Sequence, residues 1–266
     1  MSTSAPYWNE RAERLGHTGW NNPVVYAFDQ MARLKTIETV LDALDLRGGT
    51  ALDFGTGTGD FLPMLAGRFH QVIAYDISGE VLRLAKKRHG GLANVQFSIA
   101  DCFSNLPLQD HSLALILCVT VLQHVMDDGE LLEILQCFRR KLCTTGTVLH
   151  LGCAPHVSRP TAPYQRFLSL EGWRALFGRE GFYLHKQFGF HHPVERPSRT
   201  YQAYRRDPWV RALAPVSGLK FAQRLLGRRA HRHLARNPDC YWPASSGDVV
   251  RIMIWKCAEE NHAKDT

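Results

Sequence analysis

Three glycines alternate with threonines in a short stretch near residue 55. The run Ala-Leu-Asp-Phe-Gly-Thr-Gly-Thr-Gly-Asp covers residues 51–60, so an apolar strand leads into a glycine-rich turn that opens a helix. Glycine lets the backbone turn sharply and lets a ligand lie against it without meeting a Cβ atom. The pattern therefore predicts a cofactor-binding turn at Gly55, Gly57 and Gly59.

The spacing of the glycines argues against a dinucleotide. A dinucleotide-binding turn has the pattern G-x-G-x-x-G and holds a pyrophosphate at the helix N-terminus. Counted from Gly55, the sixth position is Asp60, whose charge would repel a pyrophosphate. The chain also contains no Tyr-x-x-x-Lys pair. A nicotinamide-dependent oxidoreductase is therefore only an alternative.

Two acidic residues follow the next two predicted strands. Asp76 ends the strand at 71–76, about 20 residues beyond the glycine turn, where a carboxylate can accept hydrogen bonds from both hydroxyls of a ribose. Asp101 follows the strand at 94–99, where a carboxylate can accept from an adenine amino group. Together with the turn, these residues predict a site for an adenosine-containing cofactor.

These strand ends resemble those of class I, Rossmann-like methyltransferases that use S-adenosylmethionine, especially those acting on small molecules and glycans. The resemblance extends to Leu106–Ser112 and Val121–Asp127, which are similar to the patterns L-P-x-x-D-x-S-x-D and L-x-H-x-x-D, with Ala114 in place of the last usual aspartate of the first. It covers about residues 45–155. It implies cofactor contacts from Asp53, Gly55, Thr56, Gly57, Gly59, Asp76, Ile77, Asp101, Cys102 and Val119, with Asp53 orienting the turn.

The order of apolar and amphipathic segments predicts an α/β fold with a doubly wound, mostly parallel sheet. Strands are expected near 50–54, 71–76, 94–99, 113–119 and 146–152, and helices near 60–67, 78–88 and 128–142. Further strands at Phe182–Phe190 and Asp248–Lys256 would complete seven strands as an antiparallel edge pair. The predicted parts are a helical N-terminal cap (1–46), the cofactor-binding core (47–190), a basic insertion (191–247), and the final strand with a C-terminal tail (248–266).

Histidines are the candidate catalytic residues. A high-pKa hydroxyl acceptor needs a general base, and His124 lies just beyond the fourth predicted strand. His191 and His192, at the start of the insertion, are competitors, and a purely structural role for His124 stays open. The fourth strand does not end in Asn/Asp-Pro-Pro-aromatic, the signature of exocyclic-amine methylation. O-methylation of a small molecule or glycan is therefore the favoured reaction.

The net charge of +7 is concentrated in one segment. Residues 191–247 contain eleven Lys or Arg and three Asp or Glu, which gives +8 and leaves about −1 for the rest. A local positive field indicates an anionic partner. We expect an acidic small molecule or glycan as acceptor, or contact of the segment with a membrane surface. An RNA methyltransferase and a non-catalytic binding module are the alternatives, with nucleic acid not favoured.

The cysteines and the apolar runs of the sequence argue against disulfides, metal sites and membrane spans. The seven cysteines form no C-x-x-C pair, so neither a disulfide framework nor a metal site is expected. The polar N-terminus has no apolar signal-peptide core, and the longest apolar run, Leu113–Leu122, is too short to cross a bilayer. The sequence therefore predicts a cytoplasmic protein, with peripheral attachment to the inner membrane surface as a further option.

Overall fold

An eight-stranded sheet organises the chain in a computed structural model that describes residues 5–99, 108–162, 164–237 and 239–258. Its strands are β1 (Thr50–Phe54), β2 (Gln71–Asp76), β3 (Val95–Ile99), β4 (Leu113–Val119), β5 (Leu142–Cys153), β8 (Phe182–Phe190), β9 (Tyr241–Pro243) and β10 (Val250–Cys257). Their order is β3-β2-β1-β4-β5-β10-β8-β9. The strands β6 (Arg159–Ala162) and β7 (Gln165–Phe167) form a separate antiparallel pair.

The first five strands of the sheet are parallel, and the last three are antiparallel to their neighbours. This confirms the predicted fold class and the pairing of the strands near 182–190 and 248–256. The predicted total of seven strands was wrong, because β9 adds an eighth at the edge. This strand has three residues and ends in Pro243, so it is too short to show a strand periodicity in the sequence.

Nine helices connect these strands in the described part of the chain. They are α1 (Ala5–Leu15), α2 (Pro23–Ala43), α3 (Leu62–Ala66), α4 (Gly79–His89), α5 (Asp128–Lys141), α6 (Leu170–Arg179), α7 (Arg199–Arg206), α8 (Pro208–Leu213) and α9 (Lys220–Arg236). Side-chain caps fix several N-termini: Asn22 caps α2, Ser78 caps α4 and Asp127 caps α5. None of the described helices combines the length and apolar character that a membrane span requires.

Alternate side chains of the parallel strands pack into two separate hydrophobic cores, one on each face of the sheet. On one face, Ala51 and its neighbours pack with Phe28 of α2 and Leu226 of α9. On the other face, Leu52 and its neighbours pack with Phe138 of α5 and residues of α6. Burial of each large apolar side chain contributes about 1.5–3 kcal/mol, so both layers hold the strand ends in place.

Helix α9 from the basic segment belongs to one of these layers. Ala222, Leu226, Ala230 and Leu234 are buried and face inward. Leu225 is 40% exposed, because a helical stripe centred on Leu226 and Ala230 leaves it about 100° away from Leu226.

Candidate functional site

A cavity of about 400 Å³ opens at the carboxyl ends of the parallel strands. Ligands of open α/β sheets bind at this edge, and the volume suits a small organic ligand. The glycine turn and the ends of β2 and β4 form its floor, while residues of the N-terminal helical region and of α5 cover it. The lining from these parts includes Trp8, Tyr26, Arg33, Gly55, Thr56, Gly57, Asp60, Asp76, Ile77, Val119, Thr120, Val121 and His124.

The glycine turn has the left-handed backbone that its composition requires. Gly55, Gly57 and Gly59 have φ angles of 73°, 57° and 82°. A Cβ atom at Gly55 would lie 2.3 Å from a methyl carbon of Val121, so this close approach also needs glycine. Gly59 does not line the cavity, and a Cβ atom there would meet His89 of α4 and Leu62 of α3.

Asp53 supports the turn from behind. Its carboxylate accepts a hydrogen bond of 2.7 Å from Thr56 Oγ1, and Asp53 itself is buried and does not line the cavity. Burial raises the pKa of this carboxyl to about 7, although the Thr56 hydroxyl opposes the shift. This geometry gives Asp53 a positioning role, while Thr56 contributes to the cavity wall.

Asp76 presents its carboxylate to the cavity. The amide of Gly57 donates to Oδ2 and the amide of Ser78 donates to Oδ1, both at 3.0 Å. Burial raises the pKa of Asp76 to about 6, and these amides oppose the shift. The residue makes no ion pair with the described residues, and each oxygen keeps a lone pair for a further donor. Two ribose hydroxyls fit this acceptor pair, and Ile77 lines the cavity beside it.

Arg33 and Asp60 carry opposite charges on the cavity wall, which also includes Glu130 and Glu133 of α5. Arg33 pairs with the buried Asp29 at 2.8 Å and donates to Thr120 Oγ1 at 3.0 Å. Asp60 accepts from the Tyr26 hydroxyl at 3.1 Å and lies 3.7 Å from the guanidinium of Arg88. An amino-acid group has a carboxylate and an ammonium, so the cation of Arg33 and the anion of Asp60 complement it. Arg33 and Asp60 are therefore candidate partners for the amino-acid end of S-adenosylmethionine.

The end of β4 turns sharply into the cavity. Thr120 has a φ of 55°, which is unusual for a residue with a branched side chain, and its amide donates to the carbonyl of Leu151 at 2.6 Å. Strained backbone of this kind clusters at functional sites. The turn brings Val121 and the short 3-10 helix Leu122–His124 to the cavity wall.

His124 is held as a neutral base at this position. Its Nδ1 lies 2.6 Å from the carbonyl oxygen of Tyr164. A carbonyl oxygen can only accept, so Nδ1 carries the hydrogen and Nε2 keeps a free lone pair. Burial lowers the pKa of His124. The imidazole is therefore unprotonated at neutral pH, with Nε2 as its basic atom.

The other two candidate histidines do not line the cavity. His191 is buried, with Nε2 3.1 Å from Asp29. Burial would raise the pKa of Asp29, but Arg33 and His191 lower it to about 2, so this pair is a buried structural contact. His192 accepts hydrogen bonds at Nδ1 from the amides of two following residues and packs beside Trp20. Of the candidate cofactor residues, Asp101 and Cys102 lie outside the described residues.

A row of aromatic rings begins at Trp8, which lines the cavity next to His124, and continues outward to Tyr7 and Tyr164. Trp8 packs edge-on against His124 at 4.9 Å and against Tyr7 at the same distance. Tyr7 stacks on Tyr164 at 5.6 Å, and both tyrosines are partly exposed. Aromatic surfaces of this kind bind the faces of sugar rings and of other aromatic rings. The arrangement places a binding surface for a ring beside the basic histidine.

The sequence predicted a helical N-terminal cap that includes Tyr26 and covers the ligand-binding edge of the sheet, but it did not single out Arg33 as a site residue. Both are on α2, before the glycine motif, and only the packing of this helix across the strand ends brings them to the cavity. No local motif marks them, although Asp29 and Arg33 have the spacing of a helical ion pair. Asp60 was interpreted only as a residue that repels a pyrophosphate.

The comparisons with known proteins agree with this geometry. Residues 51–146 match a family model described as a methyltransferase domain. An S-adenosylmethionine-dependent methyltransferase of Leishmania major is 17% identical, with a TM-score of 0.57 and coverage of 69% of this chain and 74% of its own. The DhpI–SAH complex is 23% identical, with a TM-score of 0.53 and coverage of 71% and 89%.

A third solved structure limits what the fold alone can show. The [4+2]-cyclase SpnF is 18% identical, with a TM-score of 0.55 and coverage of 85% of this chain and 81% of its own. Identities this low show a shared fold and do not transfer a substrate. A search of curated protein sequences gave no significant match.

Proposed function

We propose that the chain is an S-adenosylmethionine-dependent methyltransferase that methylates a hydroxyl group on a small molecule or sugar, because residues 51–146 match a methyltransferase-domain model. The cofactor supplies an electrophilic methyl group when it is bound. The observation that carries the proposal is the neutral, carbonyl-anchored His124 on the cavity wall.

The binding part of the reaction rests on charged residues of the cavity. Asp76 accepts from the ribose hydroxyls, while Arg33 and Asp60 hold the carboxylate and ammonium of the amino-acid end. Trp8 and the tyrosines next to it orient a ring of the acceptor. Holding both reactants in one geometry supplies most of the rate gain in a displacement of this kind.

The proton is handled by His124. A neutral hydroxyl becomes a better nucleophile as its proton leaves, and Nε2 of His124 is free to accept it. The hydrogen bond from Nδ1 to the Tyr164 carbonyl stabilises the imidazolium that results. The proton then passes to water. An amine acceptor would need no such base in its neutral form, which favours a hydroxyl.

The basic segment does not take part in recognition inside the cavity. None of its described Lys or Arg side chains lines the wall, where Arg33 supplies the positive charge. Because Arg33 is assigned to the cofactor carboxylate, a negative charge on the acceptor, which the sequence suggested, would have to lie outside the cavity. The proposal requires only a hydroxyl and a ring.

The proposal is tested with ¹³C-methyl-labelled S-adenosylmethionine and a panel of phenols, sugars, amines and thiols. We expect label in an O-methyl product, and we expect His124→Ala to lower kcat by about 10²–10⁴ with little change in cofactor affinity. His185→Ala is the matched control, because His185 lies on β8 and does not line the cavity. Label in amines only, or normal kcat in His124→Ala, would contradict the proposal.

The pH dependence of kcat gives a second, independent check. Only the unprotonated imidazole accepts a proton, and burial lowers the pKa of His124 below its usual 6.5. At saturating cofactor and acceptor, kcat is therefore expected to rise with pH through a midpoint below 6.5 and then to level off. A midpoint above 6.5 would argue for a different base.

A further inference from the structure

The outward surface of α8 and α9 combines exposed apolar side chains with arginines. We propose that this surface, defined here as the docking face, binds a bilayer that contains anionic lipid. Its members are Trp209, Val216, Leu219, Phe221 and Leu225 on the apolar part, and Arg224, Arg228 and Arg232 on the basic part. The inference goes beyond methyl transfer and depends neither on the cofactor nor on the acceptor.

The apolar part is unusually exposed. Trp209 is 62% exposed, Phe221 54% and Leu219 53%, while Val216 and Leu225 are each 40% exposed. All five lie within a stretch of 17 residues. Single exposed apolar residues are normal on protein surfaces, but five of them in one short segment indicate an interaction site.

The exposed apolar side chains of α9 lie on a different side of the helix from the stripe that packs into the core. Helix α9 already buries one stripe, with Leu226 and Ala230 in the core beside α2. Phe221, Leu225, Arg228 and Arg232 follow the spacing i, i+4, i+7 and i+11, so they share the opposite, solvent-facing side. The outward face therefore has an amphipathic pattern of its own, apolar at the start of the helix and basic toward its end.

The charge on this face has one sign. Between residues 208 and 237 the sequence contains seven Lys or Arg and no Asp or Glu. Within the described residues, Arg229 pairs with Asp207 at 3.6 Å and lies over the ring of Trp209, whereas Arg224, Arg228 and Arg232 make no ion pair. Three exposed arginines without a carboxylate partner complement the negative headgroups of anionic lipids.

The aliphatic side chains favour a bilayer over RNA. Arginines and aromatic rings suit phosphates and bases, so they do not separate the two partners. Val216, Leu219 and Leu225 offer no such contact, but they fit an acyl boundary about 5–10 Å below the surface. Each basic residue near an anionic surface strengthens binding about fivefold, so two charge reversals are expected to weaken binding at least 25-fold.

Co-sedimentation of the full chain with vesicles tests the proposal. One set of vesicles is pure phosphatidylcholine, and the other contains phosphatidylglycerol as well. The wild type is expected to sediment with the anionic set only, and less so as salt rises. Arg228→Glu/Arg232→Glu and Phe221→Ser/Leu225→Ser should each remain in the supernatant, because they remove the charge and the apolar part separately.

Two controls keep the result specific. Lys86→Glu/Lys87→Glu makes the same change in net charge on the exposed face of α4 and should bind like the wild type. Circular dichroism of every variant checks the fold, which these exposed substitutions should not disturb. Wild-type protein that stays in the supernatant, or docking-face variants that still sediment, would overturn the proposal. Salt-sensitive binding to generic single-stranded RNA without vesicle binding would do so as well, in favour of a nucleic-acid partner.

Discussion

Asp76 provides a quantitative test of the cofactor site, because its ionisation should control affinity. Burial raises the pKa of its carboxyl to about 6 in the ligand-free protein. Ribose hydroxyls donate to the ionised form and therefore favour it. Protonated Asp76 predominates below that pKa, so cofactor affinity should fall as pH drops through about 6 and should be fully present above about 7.

The size of the effect follows from this pKa. About one Asp76 in eleven is ionised at pH 5, and almost all are ionised at pH 8. If the ionised form alone accepts both hydroxyls, affinity should be about tenfold lower at pH 5, which corresponds to about 1.4 kcal/mol. Asp76→Asn removes the charge and should cost about 1.5–3 kcal/mol at pH 8, the range for hydrogen bonds to a charged group. Its affinity should no longer depend on pH.

Calorimetric titration with S-adenosylhomocysteine measures both quantities. This product has a neutral sulfur, so protonation of His124 does not repel it through a sulfonium charge. Asp53→Asn is the control for a buried carboxyl that does not line the cavity, and this variant should keep a pH-dependent affinity because Asp76 is still present. Wild-type affinity with an unchanged pH profile in Asp76→Asn would refute the assignment of Asp76 to the ribose.

Two further predictions concern the elements that build the site, and urea unfolding measures both. Gly55→Ala should destabilise the protein by about 2–5 kcal/mol, because the new Cβ would lie 2.3 Å from Val121 and the backbone has a positive φ. The matched control is Gly227→Ala in α9, where no atom lies within 4 Å of the new Cβ; it should be neutral or stabilising by up to about 1 kcal/mol. Leu226→Ala should cost about 2–5 kcal/mol because Leu226 is fully buried, whereas Leu225→Ala, which removes an exposed side chain, should change stability by less than about 0.5 kcal/mol. Equal effects within either pair would contradict the described packing.

The sequence predicted most of the parallel sheet because its strands have a simple signature. Strands β1, β2, β4 and β5 are buried on both faces and read as continuous apolar runs next to turns. The antiparallel pairing of β8 with β10 was also predicted. The hairpin of β6 and β7 and the helix α6 were not, although Ser169 before the apolar positions of α6 is a capping signal that could have been used.

The site was only partly predictable, for a physical reason. The glycine turn and Asp76 lie on one continuous strand, turn and helix pattern, so sequence spacing places them correctly. Arg33 reaches the cavity because α2 packs across the strand ends, a tertiary contact that no local pattern encodes. His191 was a candidate base because it lies at the start of the insertion, but the fold buries it against Asp29, outside the cavity wall.

A crystal structure of the chain with bound S-adenosylhomocysteine would show directly how the cavity holds the cofactor. We expect its ribose on Asp76, its amino-acid end between Arg33 and Asp60, and its sulfur toward His124. Both ribose hydroxyls should lie within hydrogen-bond distance of the Asp76 carboxylate, and an open path should lead from the sulfur to His124 Nε2. A product molecule bound elsewhere, or one whose sulfur is separated from His124 by protein, would refute this arrangement.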